Sequence, residues 1–522
     1  MSHRWSVLAL LTALGAAPLA AQTFPTADPV LQRIWEEGTK NSQLKPLAQA
    51  LLDSVGPRLT GSPGQAAADQ WALAQYRAWG IPARAERYGT WAGWRRGVTH
   101  VDLLQPRVRS LEATMLPWSP GTQGPVSAPV VALPAAAGPQ EFAAWLPQVQ
   151  GKFVAISLPQ PTCRPEENWK QYASPASYQR MQDERRAAQQ AWEARVAATG
   201  VSPRDLPQRL EQAGAAGVLV NNWAGGWGVE KLHPSARTQR VPTIDVSCED
   251  YGLLVRLAEQ GQGPVLRVHA EAEALGEVPV HNVVAELRGR ERPNEYVVLS
   301  AHFDSWDGAS GATDNGTGTV TMMEAMRILR RVYPNPKRTI LVGHWGGEEQ
   351  GLNGSRAFAA DHPEVVRGLQ AVFNQDNGTG RIRHIGMQGL THAGSFFARW
   401  FAQLPRELTD SVSFDIPGAP SSGSSDHASF VCAGAPSFFL LSLDWGYGVY
   451  TWHTNRDTYD KVVFDDVQRN ALLIASLAYL ASEDPQTMPR ERRTVLPTDA
   501  RTGQAAWPTC QPPARSAAAS GR

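Results

Sequence analysis

From His281 onward, short runs rich in β-branched and aromatic residues alternate with longer runs of helical period, and that alternation limits the fold more than any other feature. HNVVAEL, EYVVLSAHFD, RTILVGHWGG, LQAVFNQD and APSFFLLSL each read as a buried strand. VTMMEAMRILRRVY, AGSFFARWFAQL and VQRNALLIASLAYLA repeat apolar residues at three and four, and read as helices. Strands alternating with helices predict an α/β fold, a mixed, mostly parallel sheet covered by helices on both faces. Such sheets place ligands beyond the carboxyl ends of their strands. The residues that follow each strand are therefore where chemistry is expected.

The remainder of the chain reads as further parts of one larger plan. With 522 residues, it is too long for one ordinary core. LKPLAQALLDSV and QAAADQWALAQYRAWG are helical and are separated by Gly61-Ser62-Pro63-Gly64; they fall in a first part of the main domain, residues 22–124. VQGKFVAISL, AGAAGVLVNN and VPTIDVS are strand runs, with YGLLVRLAEQG a helix, in a smaller inserted α/β domain over residues 125–275. A polar helical stretch, MQDERRAAQQAWEARVAA, interrupts that domain, and its charges are expected to face solvent. Residues 276–485 complete the main domain, and residues 486–522, rich in Ala, Pro, Arg and Ser, are expected to be a disordered tail.

The first residues predict export. Arg4 precedes WSVLALLTALGAAPLA and then Ala20-Ala21-Gln22, the pattern of a secretory leader, residues 1–21, cleaved after Ala21. No other run is long and apolar enough to span a bilayer, so a secreted or periplasmic protein is expected. Lysine plus arginine equals aspartate plus glutamate, 49 each, which gives no electrostatic footprint for nucleic acid. The four cysteines are too widely spaced for a zinc ribbon. Export permits disulfides; Cys163–Cys248 is the favoured pair, and Cys432 reads as a buried free thiol.

The chemistry concentrates after the strands. HFDSWDGASGATDN places His302 and Asp304 directly after EYVVLSA, and Asp314 just ahead of a helix, where an anion is favoured. Asp304 is positioned to accept the second imidazole N–H of His302 and so set its tautomer. Glu348-Glu349 follow RTILVGHWGG, Asp376 ends LQAVFNQD, and His453 follows a strand-like stretch in VYTWHTN. Five ligands sharing one aspartate can hold two divalent metals, with zinc the natural choice for such a set and manganese or cobalt also accepted. Of two adjacent glutamates, one can bind metal while its neighbour handles protons.

HFDSWDGASGATDNGTG, GGEEQGLNGSRAF, FNQD, SSDHASF and HTNRDTYDKV together resemble the co-catalytic zinc exopeptidases, which include the leucyl aminopeptidases and glutamate carboxypeptidases. The carboxypeptidase Q subgroup, with its inserted protease-associated domain, is the most similar. The resemblance covers residues 25–484. It implies that Asp314 bridges two Zn2+ ions, with His302 and Asp376 completing one site and Glu349 and His453 the other. It further implies Glu348 as general base and then acid, Asp304 as the residue that orients His302, and a cis bond between Asp314 and Asn315. Asp426 and His427 are assigned to the pocket wall or to the surroundings of the ligands. Arg356 is a candidate partner for a substrate carboxylate.

The activity implied is removal of terminal residues from dipeptides or short peptides, with a homodimer left open. A leucyl-type aminopeptidase is the first alternative; a glutaminyl cyclase and a non-catalytic receptor-like protein are the others. The Ser421-Ser422-Gly423-Ser424 stretch lacks the tyrosine that supports the oxyanion in some aminopeptidases.

Overall fold

The computed structural model describes residues 27–233, 236–498, 503 and 505–518; the expected leader, residues 1–21, lies outside them. At its centre, Arg292–His302 is flanked by Arg338–Trp345 on one side and Leu369–Asn374 on the other, both parallel to it. Ser437–Ser442 continues the parallel run beyond Leu369–Asn374, and Ile382–Gly386 joins it antiparallel. Every residue of Arg338–Trp345 and of Leu369–Asn374 is buried, as expected for strands covered on both faces.

Alternate side chains of these strands enter two different cores. Val297, Leu299, Ile340, Val342, Ala371 and Phe373 pack on one face, against Thr317–Val332 and Phe464–Glu483. Val298, Leu341 and Val372 point the other way, into a cluster with Trp345, Phe358 and Phe430. The period-two alternation of a pleated strand is what divides one continuous apolar run between two helical layers. The expected mixed α/β sheet is therefore observed.

Two strands are far longer than the sequence predicts: of their residues only HNVVAEL, the end of the second, is expected as a strand. Ala83–Gln105 and Val265–Leu287 pair antiparallel over their whole lengths, with bulges that shift the register. One end of Val265–Leu287 borders Arg338–Trp345, and the other borders Val126–Ala132. From there the sheet runs on through Phe153–Ala155, Gly217–Val220 and Thr243–Val246, all parallel, to Ala113–Met115. Phe153, Ile244, Tyr251 and Leu254 form a separate core beneath this second part. The polar helix Pro175–Ala198 buries Met181 and packs Trp192 and Val196 against a small core with Phe142 and Leu206, while most of its charged residues face solvent, as the charge pattern predicts. No described helix is long and apolar enough to cross a membrane.

Three expectations need correction. Cys163–Cys248 pairs as expected, but Cys432 is not a free thiol: it is bonded to Cys510. Nor are the described residues of the tail loose. Besides that disulfide, the Trp507 indole donates to the Val431 carbonyl, the Ala514 N–H to Asn353 Oδ1, and the Arg515 guanidinium pairs with Asp361. Composition misleads here because one cross-link and a few specific contacts anchor a segment too short to have a core of its own. Finally, the stretch ahead of His453 is a helical turn, Tyr447–Thr451, not a strand. Gly446, with φ 74°, opens it in a conformation that a strand would not use.

Candidate active site

Strand register sets the first dimension of the site. Trp345 lies opposite His302, and Asn374 opposite Ser300, so three parallel strands end level with one another. His302 is the last residue of the central strand, and the turns beyond the three strands carry Asp304, Glu348 and Glu349, and Asp376. Asp314 comes from the loop that precedes Thr317–Val332, and the Asp314–Asn315 bond is cis, as expected. His453 reaches the same point from the helical turn Tyr447–Thr451.

Two triads of potential ligands result, and they share one residue. His302, Asp314 and Asp376 form the first; Asp314, Glu349 and His453 form the second. His302 Nε2 lies 3.2 Å from Asp314 Oδ1 and 3.0 Å from Asp376 Oδ1. His453 Nε2 lies 3.1 Å from Asp314 Oδ2 and 2.8 Å from Glu349 Oε2. The two oxygens of Asp314 thus face different triads. All five residues singled out as ligands from sequence are brought together.

The surroundings hold this arrangement through hydrogen bonds that the sequence only partly disclosed. His302 Nδ1 lies 2.9 Å from the backbone oxygen of Asp304, whose carboxylate is 3.8 Å away. The orienting contact is therefore the Asp304 carbonyl and not its side chain. The Asp304 carboxylate instead accepts the N–H groups of Glu348 and Glu349, at 3.1 and 3.3 Å, and the Thr60 hydroxyl. It ties the turn that bears both glutamates to the end of the neighbouring strand.

Asp457, from the HTNRDTYDKV stretch, accepts the N–H groups of Thr313 and Asp314. Asn315 donates to the Gln375 carbonyl and caps Gly318 N, next to which a Cβ would lie 2.2 Å from Asn315 Oδ1. Only glycine permits this approach.

Arg58 was not foreseen. It is fully buried and donates to the carbonyl oxygens of Gly56, Phe303, Ser310 and Gly311. Burial lowers its pKa to about 10, opposed by Asp457, Asp304, Asp314 and Glu349. A guanidinium enclosed in this way is tolerable because its donors are satisfied. It laces the loop 303–311 together and sets a fixed positive charge behind the acids. No periodicity marks such a residue, since in sequence it is one arginine among many.

The acids nonetheless exceed the fixed cations. Asp304, Asp314, Glu348, Glu349 and Asp376 crowd a site where Arg58 is the permanent positive group. Burial raises Glu348 well above the usual carboxylate range, with the acids Asp376, Glu349 and Asp426 adding to the effect and His302 opposing it. Burial, opposed by His453, brings Glu349 to about 7. Burial alone would lower His453, but Glu349 and Asp314 bring it up to about 10. His302 is likewise raised, by Asp376 and Asp314 against its burial. Without added cations, the imidazoles must take protons to offset the acids. Glu349 Oε1, moreover, is buried and accepts no hydrogen bond. Divalent cations meet both demands, and imidazole with carboxylate oxygen is a donor set suited to zinc.

The remaining candidates lie outside both triads. Asp426 is buried, and burial pushes it up to about 7. His427 stacks on Phe439 at 4.8 Å and is held neutral by burial. Half-buried Arg356 lines a cleft with Ser422, Cys432 and Pro508 of the tail. Two further residues adjoin the second triad. The Trp306 indole donates to Glu349 Oε2 at 2.8 Å, and His233 contacts His453. Trp306 lies within the HFDSWDGASGATDN loop; nothing around His233 in the sequence signals a site.

Residues 282–478 match peptidase family M28. Carboxypeptidase Q of Mus musculus is 26% identical over 450 residues, covering 84% of this chain and 86% of its own length. Leucine aminopeptidase 1 of Uncinocarpus reesii is 29% identical over 223 residues, covering 38% of this chain and 54% of its own. A peptidase M28 precursor from Shewanella amazonensis has the same fold, with a TM-score of 0.63 at 23% identity, over 89% of this chain and 98% of its own.

Proposed function

We propose, from the premise that this chain is a zinc-dependent metallopeptidase of family M28, that it is an exported di-zinc exopeptidase removing terminal residues from dipeptides or short peptides in the manner of carboxypeptidase Q. The observation that carries this reading is the pair of triads meeting at the two oxygens of Asp314. His302, Asp314 and Asp376 hold one ion; Asp314, Glu349 and His453 hold the other. When bound, the ions supply Lewis-acid polarisation of the scissile carbonyl and a lowered pKa for the attacking water.

Glu348 carries out the proton chemistry. It belongs to neither triad and shares the turn with Glu349, clamped by Asp304. As general base it takes a proton from the attacking water, whose oxygen bonds to the peptide carbon. It then returns that proton to the departing amine as the carbon–nitrogen bond breaks. Asp304 and Arg58 keep the turn and the facing loop in place, so the carboxylate needs no rearrangement between the two transfers. Export rests on the N-terminal apolar run, residues 1–21, and on two disulfides, which persist in oxidising compartments. Residues 125–275 are read as a protease-associated insert.

A leucyl-type aminopeptidase is the second reading, favoured by Ser425-Asp426-His427. A panel of dipeptides blocked at one end or the other, assayed with and without a chelator, separates the two. Hydrolysis of N-blocked but not C-blocked substrates, abolished by the chelator and restored by zinc, is the expected result. The reverse preference selects the aminopeptidase, and chelator-insensitive turnover overturns both.

A further inference from the structure

His233 lies far in sequence from every other residue of the site, yet its ring meets that of His453 edge to face, with centroids 4.5 Å apart and the two Nδ1 atoms 3.0 Å apart. Only one of two nitrogens at this distance can carry the proton, and the other must accept it. The opposite side of His453 decides which. Its Nε2 faces Asp314 and Glu349, and a metal held there requires the lone pair on Nε2. The His453 proton therefore resides on Nδ1, and His233 Nδ1 is its acceptor. We propose that His233 is a positioning residue of the metal centre, accepting the Nδ1–H of His453 and fixing the tautomer and ring angle with which His453 binds metal. This rests on the metallopeptidase reading above.

The backbone on both sides is built to hold this contact. Leu232 N–H donates to the His453 carbonyl at 2.7 Å, and Lys231 bridges to Thr454. Glu230 and Asn455 exchange two hydrogen bonds, from Asn455 N to the Glu230 carbonyl and from Glu230 N to Asn455 Oδ1. The Lys231 ammonium donates to the carbonyls of Gly448 and Trp452. Residues 230–233 thus run alongside 453–455 in one register. His453 itself has φ 58°, a left-handed conformation costly for a non-glycine residue and sustained only where the surroundings enforce it. Trp452 and Trp306 fill the other sides of the His233 ring.

The usual partner for a metal-bound imidazole is a carboxylate or a carbonyl. A neutral imidazole does the same work without adding charge. Two divalent ions against Asp314, Asp376, Glu349 and an ionised Glu348 leave the centre neutral, and an acid at position 233 would make it anionic.

Zinc titration of the metal-stripped full-length protein tests this, with His233→Phe and His233→Gln as variants. Phe keeps a ring between Trp306 and Trp452 but offers no acceptor; Gln restores an acceptor oxygen. The unsubstituted protein is expected to bind two zinc ions. His233→Phe is expected to bind one as before and the other about 10–100-fold more weakly, the range typical for loss of such a partner. Its lost turnover should return as zinc is raised, and His233→Gln should recover most of the affinity. If the unsubstituted protein binds two ions and His233→Phe binds both equally tightly, the inference fails while the metallopeptidase reading stands. Should the unsubstituted protein bind fewer than two, both fall. A melting temperature measured for each metal-stripped variant separates affinity loss from misfolding, and a folded His233→Gln as weak as His233→Phe also overturns the assignment.

Discussion

Replacing Glu348 with Gln is expected to lower kcat by about 10²–10⁴-fold, the contribution typical of a positioned general base, while zinc content and KM change little. The side chain keeps its size, and the backbone N–H of residue 348 still donates to Asp304. What is lost is the ability to take a proton from water and return it to the amine. Because Glu348 belongs to neither triad, both ions should remain. Steady-state kinetics paired with metal analysis reads both quantities on one preparation. Undiminished kcat would remove Glu348 from the proton chemistry, and loss of an ion would make it a ligand.

Asp314→Ala should have the opposite signature. Each Asp314 oxygen faces a different imidazole, so one substitution leaves both triads with two donors each. Affinity at both sites is expected to fall by more than the about 10–100-fold that loss of an outer contact costs, and turnover should fall to background. Asp376→Ala, which affects only the first triad, provides the contrast, since one tightly held ion should survive. Zinc titration distinguishes the two patterns. If Asp314→Ala retains one ion at full affinity, the carboxylate does not bridge.

Much of this centre was legible in the sequence because its donors lie just beyond the strands, where apolar patterning stops. His302, Glu349 and Asp376 stand out against the buried runs EYVVLSA, RTILVGH and LQAVFN. His453 stands out by its type, but the element before it does not: Tyr and Val favour strands, whereas Gly446 and Gly448 permit the helical turn that forms. The strand Ala83–Gln105 and the first two thirds of Val265–Leu287 are not legible in the sequence, because many of their side chains face solvent and bulges interrupt the alternation; the buried end, HNVVAEL, is. Arg58 and His233 were invisible for a different reason. Their roles arise from contacts between segments distant in sequence, and no local pattern encodes such contacts. The Cys432–Cys510 disulfide belongs to the same class.

The most direct measurement is anomalous diffraction at the zinc absorption edge from crystals of the zinc-loaded protein. Two peaks are expected, about 3.5–4 Å apart as in two-metal hydrolytic sites, with one Asp314 oxygen toward each, His302 and Asp376 beside the first, and Glu349 and His453 beside the second. A single peak, or two peaks not bridged by Asp314, would contradict the bridged two-metal centre.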